Sequence, residues 1–291
     1  MTEIGPNRYG KSAIRLVKVV RGETPHRVRD LTIAIALEGD FAASYRDGDN
    51  AAVIATDTMK NTAYALAGEH LTGAIELFGS ALASHFLDTS DAVERVRVAI
   101  DEHLWRPIGD APDAFSRDGS ETRTARILAS RHETPPSELR AGIADLIVMK
   151  TTRSAFEGFP RDGFTTLRET SDRIMATKVE ASWVYDPTAF DHAAIDFDAL
   201  WGAIRATFLE VFADHHSVSV QASIWIIGTA ILERHREVAE VSMSLPNLHH
   251  WTVDLSPFGI ENDREVYVST TEPHGLIEAT IRRSDVGAAR S

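Results

Sequence analysis

An α+β fold dominated by antiparallel sheet is predicted from three observations: apolar residues alternate with period two in many segments, helical faces sit between groups of strands, and a proline pair separates two similar element orders. Leu31, Ile33, Ile35 and Leu37 alternate with Thr32, Ala34 and Ala36, which puts one set on a single face of a strand. Val53-Ile54-Ala55 followed by Thr56-Asp57-Thr58 reads as a strand end with turn or cap chemistry. Ile75, Phe78, Leu82 and Phe86 recur at helical spacing, with Thr72 placed to cap the start. Val96, Val98 and Ile100 return to a period of two, as do Val179, Ala181, Trp183 and Tyr185. Asp196 then precedes a helical face of Phe197, Leu200, Trp201, Ile204, Phe208, Val211 and Phe212. Val220, Ile224, Ile227 and Ile231 form another behind a cap at Ser217 or Ser219. Val241, Met243 and Leu245, and then Trp251, Val253 and Leu255, read as closing strands.

The order is strand, strand, helix, strand, strand, and then strand, strand, helix, helix, strand, strand, with the break at Pro135-Pro136. It predicts a duplicated architecture with domains 1–135 and 136–291, although identity between the halves is too weak to define a repeat from residues alone.

Composition narrows the function classes. The chain has 291 residues, 43% of them hydrophobic and 25% charged, enough for two cores. It has no cysteine, which removes disulfides, thiolate ligands and thiol nucleophiles and fits a reducing compartment. A net charge of −13 argues against nucleic acid held through phosphates, so an anionic ligand needs a local basic pocket. The longest apolar stretch, Val220 to Leu232, is interrupted by Gln221, Ser223, Gly228 and Thr229 and is too short for a membrane helix. The first residues lack a secretory pattern, and the last, Ala289-Arg290-Ser291, lack a peroxisomal tail, so a cytoplasmic location is expected.

No phosphate loop, nucleophile elbow or metalloprotease helix is present. The pairs His215-His216 and His249-His250 are poor chelators, because adjacent strand residues point to opposite faces. Gln221 lies in a first helical turn, where free N–H groups such as that of Val220 suit an anion, but spacing alone favours reading it as an ordinary polar first-turn residue. Arg173 offers a planar fork for a flat anion or for a structural ion pair. Lys11 precedes an apolar strand, where most lysines are solvated; Phe156 defaults to core, and Asn247 after Pro246 to a turn. Taken singly, these residues define a two-domain α+β protein and no more.

Taken together, they carry a resemblance. The segments Asn7-Arg8-Tyr9-Gly10-Lys11, Val53 to Thr62, Phe156 to Asp162, Thr165 to Ile174, Ser244-Leu245-Pro246-Asn247-Leu248-His249-His250 and Gly275 to Thr280 stand in the order found in cofactor-independent urate oxidase, and the chain resembles that family nearly end to end. The resemblance implies tandem tunnelling-fold (T-fold) domains, antiparallel sheets with helices on one face, four copies of which assemble into a barrel with active sites at subunit interfaces. It implies oxidation of urate by dioxygen and water to 5-hydroxyisourate and hydrogen peroxide, with no metal, flavin or haem.

By the same resemblance, Arg173 and Gln221 clamp the purine edge, Phe156 stacks on its face, the Val220 backbone adds a donor and Ile277 lines the pocket. A neighbouring subunit supplies Thr56 and Asp57, Thr56 joins Lys11 and His249 in a proton relay, and Asn247 holds oxygen or water above the ring. The chain departs from the family at Leu248, where lysine is usual; alternation is expected to turn that side chain away from Asn247 and His249. Two other readings fit the fold: a different purine- or pterin-processing enzyme, whose relatives anchor the heterocycle with Glu, and a non-catalytic purine-binding oligomer.

Overall fold

A computed structural model of the chain describes residues 2–22, 24–133, 136–186 and 194–284. Pro135, the end of the expected first domain, and Ala289-Arg290-Ser291 lie outside the described residues. The chain divides into two compact units, residues 1–142 with 184–201, and residues 143–183 with 202–291.

In the first unit, β1 (Tyr9–Val20), β2 (Arg27–Gly39), β3 (Val93–Pro107) and β4 (Phe115–Ser130) pair antiparallel in that order. Leu31, Ile33, Ile35 and Leu37 are buried as their alternation requires, together with Val96, Val98 and Ile100 of β3. Helices α1 (Ala42–Asp47), α2 (Thr56–His70) and α3 (Ile75–Thr89) lie between β2 and β3. Ile75, Phe78, Leu82 and Phe86 are the buried face of α3.

The cap of α3 is Ala74, with no side-chain hydrogen bond, and Thr72 stands in the preceding turn. Val53-Ile54-Ala55 is not a strand end, because Thr56 opens α2. The buried stripe of that helix is Met59, Ala63 and Ala67, whose small side chains leave a weak periodic signal. Lys11 does not precede a strand; it sits inside β1.

The second unit takes most of β5 (Glu138–Lys150) and β6 (Met175–Tyr185), then α4 (Phe197–Asp214), α5 (Val220–Arg234), β7 (Val238–Ser244), β8 (Asn247–Thr252), β9 (Tyr267–Gly275) and β10 (Glu278–Arg282). The order is β5-β6-β7-β10, and β8 pairs with both β6 and β9. The prediction missed a strand pair: β8 and β9 form an arm inserted between β7 and β10, which pair with each other. Trp251, Val253 and Leu255 do not form one strand: exposed Trp251 belongs to β8, which ends at Thr252, and Leu255 caps a 3-10 turn at Ser256–Phe258. Ser219, not Ser217, caps α5 by accepting the Ala222 N–H at 3.1 Å. Asp196 caps α4 through the Ala199 N–H at 3.0 Å. No described helix is long and apolar enough to cross a membrane.

Both units close their helices with the same cations. Lys18 of β1 donates to the carbonyls of Ala67 and Gly68 at the end of α2, and Lys150 of β5 to those of Phe212 and Ala213 at the end of α4. Five residues before each lysine the backbone turns left-handed, at Ala13 (φ 55°) and Asp145 (φ 61°). Arg131 donates to the carbonyls of Leu87, Ser90 and Val93, and Arg283 to those of Leu232, His235 and Val238, with the same spacing of acceptors. Duplication is thus visible in how orphan helix carbonyls are satisfied, which identity between the halves does not reveal.

Candidate active site

The site begins with a short stretch after β5. Ser154 bridges Ser217, Ala155 N–H donates to the Ser217 carbonyl at 2.7 Å, and Phe156 pairs with Thr170. Arg173 N–H donates to the Ser154 carbonyl at 2.7 Å. These bonds draw residues 154–156, 170–173 and the start of α5 to one place. There a cavity of about 970 Å³ is lined by Phe156, Arg173, Val220, Gln221, Asn247, His249 and Ile277, seven of the ten residues singled out from the sequence.

Its electrostatic feature is Arg173. The guanidinium is half-buried, its carbon lies 5.3 Å from the Phe156 ring centre, and its buried Nε has no hydrogen-bond partner. Desolvation pulls its pKa below the ordinary arginine value. Among the described residues no carboxylate forms an ion pair with it. Among the described residues the structural ion pair that the sequence left open is therefore absent, and the guanidinium lines a cavity whose wall also carries Glu157, Glu169 and Asp172. Phe156 is half-exposed rather than core, and it stacks on Phe159 at 5.0 Å.

Helix α5 adds donors. Its first backbone bond is Ser223 N–H to the Ser219 carbonyl, and Ser219 Oγ takes the Ala222 N–H, so the N–H groups of Val220 and Gln221 precede the helical ladder. The Gln221 side chain is exposed.

Opposite chemistry comes from β8. Asn247 opens that strand instead of a turn, pairing with Thr177 and Gly275. Its Nδ2 is 3.4 Å from His249 Nδ1, so with the amide donating, the imidazole proton sits on Nε2. Burial, then the charges of Arg173, His274 and His250, hold His249 below the usual histidine value, which keeps it neutral near pH 7. Leu248 pairs with Ala176 and does not line the cavity, although its neighbours on both sides do. His215 and His216 are not on a strand. They lie between α4 and α5, where His215 bonds the Val211 carbonyl and Ser223 Oγ.

Lys11, Thr56 and Asp57 belong to the first unit. Lys11 lines a separate cavity of about 530 Å³ with Arg8, Arg97 and Arg126, immediately before the irregularity that ends at Ile14. Gly10 brings it there: a Cβ on Gly10 would stand 1.9 Å from the Ile35 carbonyl oxygen, so only glycine lets β1 approach β2 so closely. Gly10→Ala is expected to destabilise the protein by about 1–3 kcal/mol. Denaturant unfolding checks this; an unchanged midpoint would refute the close approach.

Asp57 sits below the usual carboxylate range because Lys60 donates to it, with further help from Asn61 and from the charge of Lys11. Among the described residues no hydrogen bond links Thr56 to Lys11.

The cavity also contains residues that the sequence did not single out, among them Arg264 and Tyr267. They come from the β8–β9 connection and β9, and no local pattern ties them to Arg173.

Comparison with known proteins agrees with this arrangement. The sequence profile described as Uricase matches residues 7–128 and 139–278. The chain is 45% identical over 280 residues to the uricase of Arthrobacter globiformis, covering 96% of this chain and 90% of that one. It is 38% identical over 291 residues to the uricase of Dictyostelium discoideum, covering 98% and 99%. The crystal structure of the Arthrobacter globiformis uricase superposes with a TM-score of 0.92 at 44% identity, covering all of this chain and 97% of that one. The α+β tunnelling fold expected from the sequence is the fold found, with antiparallel strands in each unit. Fold, cavity and sequence together place the chain in the uricase family.

Proposed function

We propose that the protein oxidises urate with dioxygen and water to 5-hydroxyisourate and hydrogen peroxide. The observation that carries this reading is the half-buried Arg173 guanidinium, without an ion pair among the described residues, beside the Phe156 ring and lining one cavity with the first turn of the helix bearing Gln221. That is a site for a flat, delocalised anion. Arg173 and Gln221 hold the edge of the purine, Phe156 stacks on its face, the Val220 N–H adds a donor and Ile277 closes the pocket. Gln221, at a position where pterin-processing enzymes of this fold typically use Glu, favours an anion over a neutral heterocycle.

The deprotonated substrate is itself the electron donor, passing electrons to dioxygen in single steps, so the reaction as written needs no metal, flavin or haem. The protein forms the anion, positions oxygen or water at Asn247 and moves protons. Lys11, Thr56 and His249 form the relay, with Thr56 and Asp57 supplied by a neighbouring subunit. This makes the working unit a homotetramer of tandem T-fold chains, domains 1–135 and 136–291, closed into a barrel with sites at its interfaces. The setting is the cytoplasm, in keeping with the absence of cysteine.

The test is metal-stripped protein mixed with urate in air, with chelator present, following ultraviolet loss of urate, oxygen uptake and peroxide release. Equal consumption of urate and oxygen is expected. Tight urate binding without oxygen uptake would favour the non-catalytic purine-binding oligomer instead. Lys11→Ala is expected to lower kcat by about 100-fold or more with little change in urate affinity, as removal of a general base does; equal losses of both would refute its role in the relay.

A further inference from the structure

We propose that Asp172 and Arg264 form a clasp that positions the Arg173 clamp against the Asn247–His249 edge, which makes both of them positioning residues for the reaction above and rests on that reading. Arg264 Nη2 donates to the Asp172 backbone carbonyl at 2.6 Å and lies 3.3 Å from its Oδ2. The same carboxylate accepts Thr152 Oγ1–H at 3.0 Å and the Arg153 N–H at 2.8 Å, and the carbonyl also accepts Thr170 Oγ1–H at 2.9 Å. The anion next to Arg173 in sequence is thus fully engaged elsewhere, which leaves the Arg173 guanidinium unpaired for a ligand.

Arg264 reaches Asp172 from a loop that Asn262 holds in place by hydrogen bonds. Asn262 Oδ1 accepts the N–H groups of Glu265 and Val266 at 3.0 and 3.1 Å, while its Nδ2 donates to the carbonyls of Val253 and Val266 at 2.8 Å each. Between them Arg264 stands at φ 59°, a left-handed backbone that a non-glycine residue adopts only under constraint. The arm formed by β8 and β9 carries Asn247 and His249, while residues 154–173 carry Phe156 and Arg173. The clasp ties the two walls of the cavity together across 92 residues of sequence.

Arg264→Ala removes this tie without touching Arg173, leaving the β8–β6 pairing as the arm's remaining anchor. It is expected to lower kcat about tenfold with the KM for urate within about twofold, because alignment is lost while the clamp remains. Arg264→Lys, which keeps one cationic donor, restores most of kcat. Asp172→Asn retains an acceptor for Thr152 and Arg153 but loses the ion pair; it lowers kcat in the same direction and is not additive with Arg264→Ala. Amide hydrogen exchange of the ligand-free proteins reads the clasp without turnover. Faster exchange in peptides covering 168–175 and 247–252 of Arg264→Ala is expected, with thermal unfolding of the whole chain little changed. Unchanged exchange in both peptides, or equal losses in kcat and 1/KM with no rescue by lysine, overturns the proposal. A wild-type protein that consumes no oxygen with urate overturns the reaction, and exchange alone then decides the clasp.

Discussion

Arg173→Ala is expected to weaken urate binding by roughly 2–5 kcal/mol, a rise in Kd of about 30-fold or more, while leaving the stability of the free protein unchanged or slightly raised. The two effects separate because of what surrounds the side chain. In the free protein the guanidinium has lost part of its hydration, has no ion pair among the described residues and keeps a buried Nε without an acceptor. Removing it forfeits no native bond from that Nε and relieves a desolvation cost. Under the proposed clamp the same group would supply charge and a planar fork to the purine edge. Arg173→Lys keeps the charge but not the fork, and binds urate between the two. Calorimetric titration with urate and thermal unfolding of each variant check both halves of the expectation. Near-wild-type affinity would remove Arg173 from the clamp, and a large loss of stability would mean that it has a structural partner.

Arg123 presents the opposite case, a cation on which the fold depends. Its side chain is 4% exposed and donates to Glu76, which is 0% exposed, at 2.7 Å, and to Asp198; Glu102 lies 3.8 Å away. Arg29 closes the network by donating to Glu102 at 2.7 Å and to Asp198. One cluster thus joins α3, β2, β3, β4 and the first turn of α4 within the first unit. Arg123→Ala leaves the Glu76 carboxylate buried without its counter-charge, and is expected to cost about 3–5 kcal/mol.

Burial already raises the Glu76 carboxyl above its ordinary value, with Arg123 only partly offsetting it. A raised carboxyl stabilises the fold below its unfolded value, and that contribution is lost as pH rises through the folded one. Without Arg123 the folded value rises further, so the destabilisation is expected to be larger at pH 8 than at pH 5. Adding Glu76→Gln should recover part of the loss. Denaturant unfolding at the two pH values decides; a loss independent of pH and not relieved by Glu76→Gln would mean that packing, not charge, is at stake.

Neither the clamp's isolation nor the buried network could be read from the chain in one dimension. Sequence established the strands whose alternation is unambiguous, β2, β3, β6 and β7, and the large apolar faces of α3, α4 and α5. It also picked out the seven cavity residues, by motif resemblance rather than by pattern. It missed α2, because Met59, Ala63 and Ala67 bury too little side chain to mark a face. It read Trp251 to Leu255 as one strand, whereas β8 ends at Thr252.

The difference follows from range. Alternation and helical spacing are properties of neighbouring residues, set by the two short periods of the backbone, so a local reading finds them. Whether Arg173 pairs with Asp172 beside it, or leaves that anion to Arg264 92 residues away, depends on which segments the folded chain brings into contact. Hydrogen bonds and desolvation act over a few ångströms of space, so only the tertiary structure decided which of the sequence's many charges remain free to act.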